Sequence, residues 1–150
     1  MRLSLFIRAF EVIMNRYTID DIYVGMKESF NVSVTDDMMD SFLRITGDIN
    51  PLHSDGEYAR SKGYSDRVVF GMLTSSFLST LAGVYLPGEN SIIREVEVKF
   101  KRPVYVNEEL TITGEVTEVR PEYGIFYVKV SMTGADGEKV LRGKMQIGVM

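Results

Sequence analysis

From Gly71 to Tyr85 the chain carries no charged side chain. Met72, Leu73, Phe77, Leu78, Leu81 and Ala82 are spread over much of the circumference of a helix built on this stretch, and its polar residues (Thr74, Ser75, Ser76, Ser79, Thr80) are small. A helix apolar nearly all round cannot lie on a surface, so something larger than one neighbouring helix must wrap it. That requirement constrains the fold more than any other feature of the sequence.

The second half supplies the wrapping. Val96, Val98 and Phe100 alternate with Glu95, Glu97, Lys99 and Lys101. Runs around Leu110 and Ile112, from Phe126 to Met132, and from Leu141 to Val149 follow, separated by turn signals at Pro103–Asn107, Pro121–Gly124 and Ala135–Gly137. Upstream, Phe30, Val32 and Val34 suit a half-buried strand. Thr35 then caps a helix with Asp36 and Asp37 in its first turn, Met38, Met39, Phe42 and Leu43 on its apolar face, and Gly47 as its stop. A short helix is expected over Ser54–Ser61. One strand, an uncharged helix and four antiparallel strands with polar outer faces imply an α+β hot-dog domain, an antiparallel β-sheet wrapped around a long central helix.

Composition narrows the chemistry. At 150 residues the chain is one domain and buries about 70% of the surface its unfolded form exposes. It has no Cys and a single His, which excludes disulfide frameworks, thiol nucleophiles and Cys-ligated zinc, and leaves too few soft ligands for most transition-metal sites. No metal is expected. A net charge of -4 gives no field for holding a nucleic-acid backbone. Each of Arg60, Lys62, Arg67, Lys99, Lys101 and Arg102 reads as a solvated charge, or as a contact to a nucleotide phosphate.

Residues 1–16 form an N-terminal extension and residues 17–150 the domain. The apolar run at the start is broken by Arg8 and Glu11, with no cleavage site after it. No secretory signal or membrane span is expected, and the location read from this is cytoplasmic. Met14 is a candidate second start. Alternatively, the segment is an amphipathic turn packing Leu5, Phe6 and Phe10 on the domain or on a partner subunit.

The stretch Thr46-Gly47-Asp48-Ile49-Asn50-Pro51-Leu52-His53 places the only histidine five positions after an aspartate, in a loop shaped by Asn50-Pro51. An Asp and a neutral His in one cavity can divide proton transfers between them near neutral pH. Spacing alone leaves open that Asp48 only caps the following helix and that His53 is structural. Gly71 opens the uncharged helix, where free N–H groups can bind a developing oxyanion, or where glycine merely allows close packing.

The run from Phe42 through Gly88, with DINPLH, RVVFGML and LPG, resembles the MaoC-type (R)-specific enoyl-CoA hydratases. The likeness extends through VEVKFKRPVYV at Val96–Val106. It implies reversible syn addition of water to a trans-2-enoyl thioester, giving an (R)-3-hydroxyacyl thioester. By position it places Asp48 and His53 as the catalytic pair, with Asp48 taking a proton from water and His53 protonating the α-carbon. Asn50, the oxyanion glycine Gly71 and Ser79 support them, and Arg67, Phe70 and Met72 contact substrate. Phe70 departs from the histidine usual before the Gly-Met, which implies a reshaped pocket. Asn107 stands where a glycine is common, a mild change because Asn tolerates the left-handed conformation.

The resemblance also implies a homodimer, an acyl-CoA or acyl-carrier-protein substrate, and no cofactor, with coenzyme A entering only as part of the substrate. Two other readings of the same fold are a hot-dog acyl-CoA thioesterase and a non-catalytic thioester-binding subunit.

Overall fold

The computed structural model describes residues 13–150. The order of elements is β1 (Lys27–Ser33), α1 (Asp36–Thr46), α2 (Pro51–Ser54), α3 (Gly56–Ser61), α4 (Gly71–Thr80), β2 (Ser91–Phe100), β3 (Glu109–Arg120), β4 (Ile125–Gly134) and β5 (Lys139–Val149). All strand pairings are antiparallel, in the order β1-β3-β4-β5-β2. The wrapped-helix architecture read from the sequence is the one found.

The sheet's inner face and the helix form one core. Leu110, Ile112, Val116, Phe126, Val128, Val130, Met132, Leu141, Met145 and Ile147 alternate along β3, β4 and β5 and are all buried against Leu78, Leu81 and Ala82. After Thr80 the helix continues as one π-helical turn, Leu81–Tyr85, which carries Leu81 onto β3. Gly114 makes the approach possible, because a Cβ there would lie 3.0 Å from Leu81 Cδ2.

Local signals set the boundaries. The Thr35 side chain accepts from the Met38 N–H, and Gly47 ends α1 with φ 70°. Asn107 takes φ 67°, the conformation that Asn tolerates.

The single helix expected over Ser54–Ser61 is instead two. Asp55 leaves the helical region and its carboxylate accepts from Glu57 and Tyr58, starting α3 afresh, while α2 runs from Pro51 to Ser54. His53 therefore sits in a helical turn, not in a loop. At the N-terminus, Asn15 and Arg16 are already part of the folded unit: Arg16 bridges to Gly88, and the Asn15 N–H donates to the Val84 carbonyl. The packing of Leu5, Phe6 and Phe10 lies outside the described residues.

β2 does not pair with β3, its successor in sequence. It lies at the far edge of the sheet beside β5. Gly143 allows that pairing, since a Cβ there would lie 1.9 Å from the Glu97 carbonyl oxygen. Gly143→Ala is expected to loosen β2 and cost about 2–3 kcal/mol in denaturant unfolding. Unchanged stability would mean that the strands separate here without cost.

Candidate active site

The segment between α1 and α3 is a ladder of local hydrogen bonds. Thr46 Oγ1 donates to the Phe42 carbonyl (2.8 Å) and accepts from the Asp48 N–H (3.2 Å). Asp48 Oδ1 accepts from the Asn50 N–H (3.1 Å), and Asn50 Oδ1 accepts from the Leu52 N–H (3.0 Å). These are Asx- and ST-type turns, in which a short polar side chain holds backbone two residues ahead. Asn50 is thus the N-cap of α2, with Pro51 in its first turn. Asp48 caps no helix; its Oδ1 holds the turn through the Asn50 N–H instead.

The same ladder aims His53. Its backbone N–H donates to the Asn50 carbonyl, and the Leu52 carbonyl accepts from the Val68 N–H. The Val68 carbonyl, 2.7 Å from His53 Nδ1, completes the tie. A carbonyl only accepts, so Nδ1 carries the hydrogen and Nε2 is left as the nitrogen free for proton transfer. Behind the imidazole stands Phe70, its ring centroid 4.2 Å away, with Phe42 packed on Phe70 at 4.9 Å. Phe70 is buried and forms the back wall of the site.

Asp48, His53, Phe70, Gly71 and Met72 line one cavity of about 330 Å³ together with Phe42, Thr46 and Phe100. His53 and Gly71 also face an adjoining cavity of about 260 Å³ that includes Lys101 and Arg102. Gly71 is the first residue of α4, and the side chain of its N-cap, Phe70, makes no capping hydrogen bond. The first N–H groups of the helix are therefore not capped by that side chain, and they stand at the edge of a cavity that holds a carboxylate and an imidazole. A Cβ at this point would stand 3.0 Å from the Phe100 ring, so glycine gives the ring room beside the helix start.

The other residues singled out from sequence stand apart. Arg67 lines neither cavity and pairs with Asp36 at the start of α1. Ser79 is exposed, eight residues beyond Gly71 and so about 12 Å along the helix. It does not join the pair within one chain.

Phe42, Thr46, Phe100, Lys101 and Arg102 line the cavities without having been singled out as a set. Phe42 and Phe100 read as ordinary apolar-face residues, and the Val68 carbonyl has no side-chain signal at all.

Arg102 is held by Glu108 (2.6 Å) and Asp136 (2.9 Å), and its Nε is buried without an acceptor among the described residues. The hydrogen bond that Arg102 donates to Glu108 leads in raising the guanidinium above its ordinary range. Glu108→Gln is expected to lower stability by about 2 kcal/mol, because a partly buried cation loses its main partner. An unchanged thermal midpoint would show that Asp136 alone suffices. Among the described residues no group of three or more His, Cys, Asp or Glu gathers as a metal site, and no helix is long and apolar enough to cross a membrane.

The geometry can be set beside known proteins. A profile of the MaoC like domain matches residues 23–135. The chain belongs to the MaoC-like family. An (R)-specific enoyl-CoA hydratase of Rhodospirillum rubrum is 30% identical over 130 residues, covering 87% of this chain and 90% of that one. A second, from Aeromonas caviae, is 39% identical over 82 residues, 55% of this chain and 61% of that one. Among solved structures, the unliganded R-hydratase PhaJ1 from Pseudomonas aeruginosa superposes with a TM-score of 0.84 at 26% identity, covering 89% of this chain and 86% of that one. In this MaoC-like chain, Phe70 stands before Gly71 as a buried wall against the His53 ring.

Proposed function

We propose that the protein is an (R)-specific enoyl-CoA hydratase, acting equally as a 3-hydroxyacyl-CoA dehydratase in the reverse direction. The observation that carries this reading is the meeting of Asp48, His53 and the start of α4 at Gly71 on one cavity. A trans-2-enoyl thioester with its carbonyl oxygen on the Gly71 N–H has its double bond polarised toward an enolate. Water held between Asp48 and His53 adds its oxygen to the β-carbon and gives up a proton to Asp48. That proton passes from Asp48 to the unprotonated Nε2 of His53, which delivers it to the α-carbon, so both residues end as they began. One C–O and one C–H bond form, and one water is consumed. Asn50 acts at one remove, by fixing the ladder that holds Asp48.

The substrate handle is coenzyme A or a carrier protein. Relatives are named for both, among them a 3-hydroxyacyl-[acyl-carrier-protein] dehydratase of Solanum lycopersicum.

The working unit is a homodimer. β2 is an edge strand whose inner-face residues Ile93, Val96 and Phe100 are exposed, and Met72, at the cavity mouth, is 66% exposed. An open apolar edge of this kind is covered in a stable protein, and pairing with a second copy covers it.

The test is incubation with crotonyl-CoA while enoyl-thioester absorbance and free thiol are followed together. Loss of absorbance without thiol release supports the hydratase. Release of thiol from acyl-CoA would overturn it in favour of a thioesterase.

A further inference from the structure

The outer face of the sheet carries a charge arrangement that the hydratase chemistry does not use. Lys99, Lys129, Lys139, Arg142 and Lys144 surround a shallow depression of about 280 Å³ on β2, β5 and β4, with Glu97 as the one acid in its lining. Lys144 already pairs with Glu97 at 3.3 Å. The register sets Lys99 directly opposite Arg142 and Lys129 directly opposite Lys144. Like charges in directly opposed positions destabilise a sheet. Lys144 faces Glu97 and Lys129 also faces Glu115 across the sheet, so the excess of cations lies with Lys99, Lys139 and Arg142, in a chain whose net charge is -4.

The location adds a second argument. Lys101 and Val140 line the cavity that holds His53. They lie immediately past Lys99-Phe100 on one side and next to Lys139 on the other. The basic face and the catalytic cavity therefore share the same ends of β2 and β5.

We propose that this face docks an acidic carrier protein, which presents the enoyl group to the cavity on a phosphopantetheine arm. The proposal rests on the hydratase reading and names the handle. Side chains on a sheet stand roughly perpendicular to it, and strands lie about 5 Å apart, so these cations do not converge on one phosphate. They match a row of carboxylates on another protein. The one apolar residue in the lining, Val130, is buried in the core, so the depression offers no apolar surface to a lipid.

The test compares crotonyl-CoA with crotonyl groups carried on an acidic acyl carrier protein, using wild type, Arg142→Glu and the double variant Lys139→Glu/Arg142→Glu. Arg142→Glu puts opposite charges across from each other at Lys99, so its thermal midpoint is expected to hold or rise, which separates function from folding. The expected result is that kcat/KM on the carrier-bound substrate falls at least tenfold in the double variant, and that wild-type activity on it weakens with added salt. Activity on crotonyl-CoA stays within twofold.

Equal losses on both substrates would mean that the face serves coenzyme A phosphates, and would overturn carrier docking. So would wild-type hydration of crotonyl-CoA with none of the carrier-bound form, or no change in any variant. Failure of wild type on both substrates would instead bring down the hydratase reading itself, and carrier docking with it.

Discussion

Asp48→Asn is expected to lower kcat for crotonyl-CoA hydration by roughly a thousandfold, the scale of a lost proton-transfer group. The substitution is close to isosteric. The amide oxygen can still accept from the Asn50 N–H, as Asp48 Oδ1 does at 3.1 Å, so the turn ladder survives and only the base is lost. Asp48 is exposed in the single chain, and no change in thermal midpoint is expected. The pairing of near-zero activity with unchanged stability distinguishes a catalytic group from a structural one. If activity survives, the carboxylate is not the base. If activity and stability fall together, the ladder and not the chemistry has been damaged. His53→Gln should behave alike. Rates of the two variants do not divide the proton transfers between the residues, because groups acting on one water lose their effect together.

Leu81→Ala should cause the largest loss of stability, about 3 kcal/mol, from the loss of transfer energy and the cavity left behind. Leu81 is fully buried where the π-helical turn meets the sheet, and Gly114 leaves little room for the neighbourhood to collapse. For a domain of this size the thermal midpoint should fall by roughly 6–12 °C. The residue lies beyond the end of α4, away from the cavity at the helix start. At a temperature where the variant is folded, kcat should therefore be close to wild type. A loss below about 1 kcal/mol would show that the sheet relaxes onto the helix, and that the wrap around α4 is looser than the packing indicates.

Much of this architecture was legible in the sequence because it is encoded locally. The uncharged run after Gly71, the capping Thr35, the stop at Gly47 and the period-two alternation in β3, β4 and β5 each leave a signature within a few residues. The Asp48 to His53 motif was legible for the same reason. What escaped was non-local or carried by backbone. The place of β2 beside β5 depends on Gly143 meeting the Glu97 carbonyl across the sheet, and nothing near β2 announces it. The break at Asp55 arose because that residue caps a new helix where the pattern could be read as one. The pairing of Arg67 with Asp36 joins residues on separate elements. The Val68 carbonyl, which sets the tautomer of His53, has no side chain to read.

Those non-local features decide how the motif works. In the proposed hydration, a carboxylate held by the turn ladder, an imidazole fixed through Nδ1 and a helix start kept open by glycine position the thioester. In the proposed mechanism they also set which face of its double bond meets the water.

The most direct test of that placement is the configuration of the product made from crotonyl-CoA, resolved by chiral chromatography after thioester cleavage. The account predicts (R)-3-hydroxybutyrate from wild type and essentially none from Asp48→Asn. A racemic or (S) product, or undiminished (R) product from the variant, would contradict it.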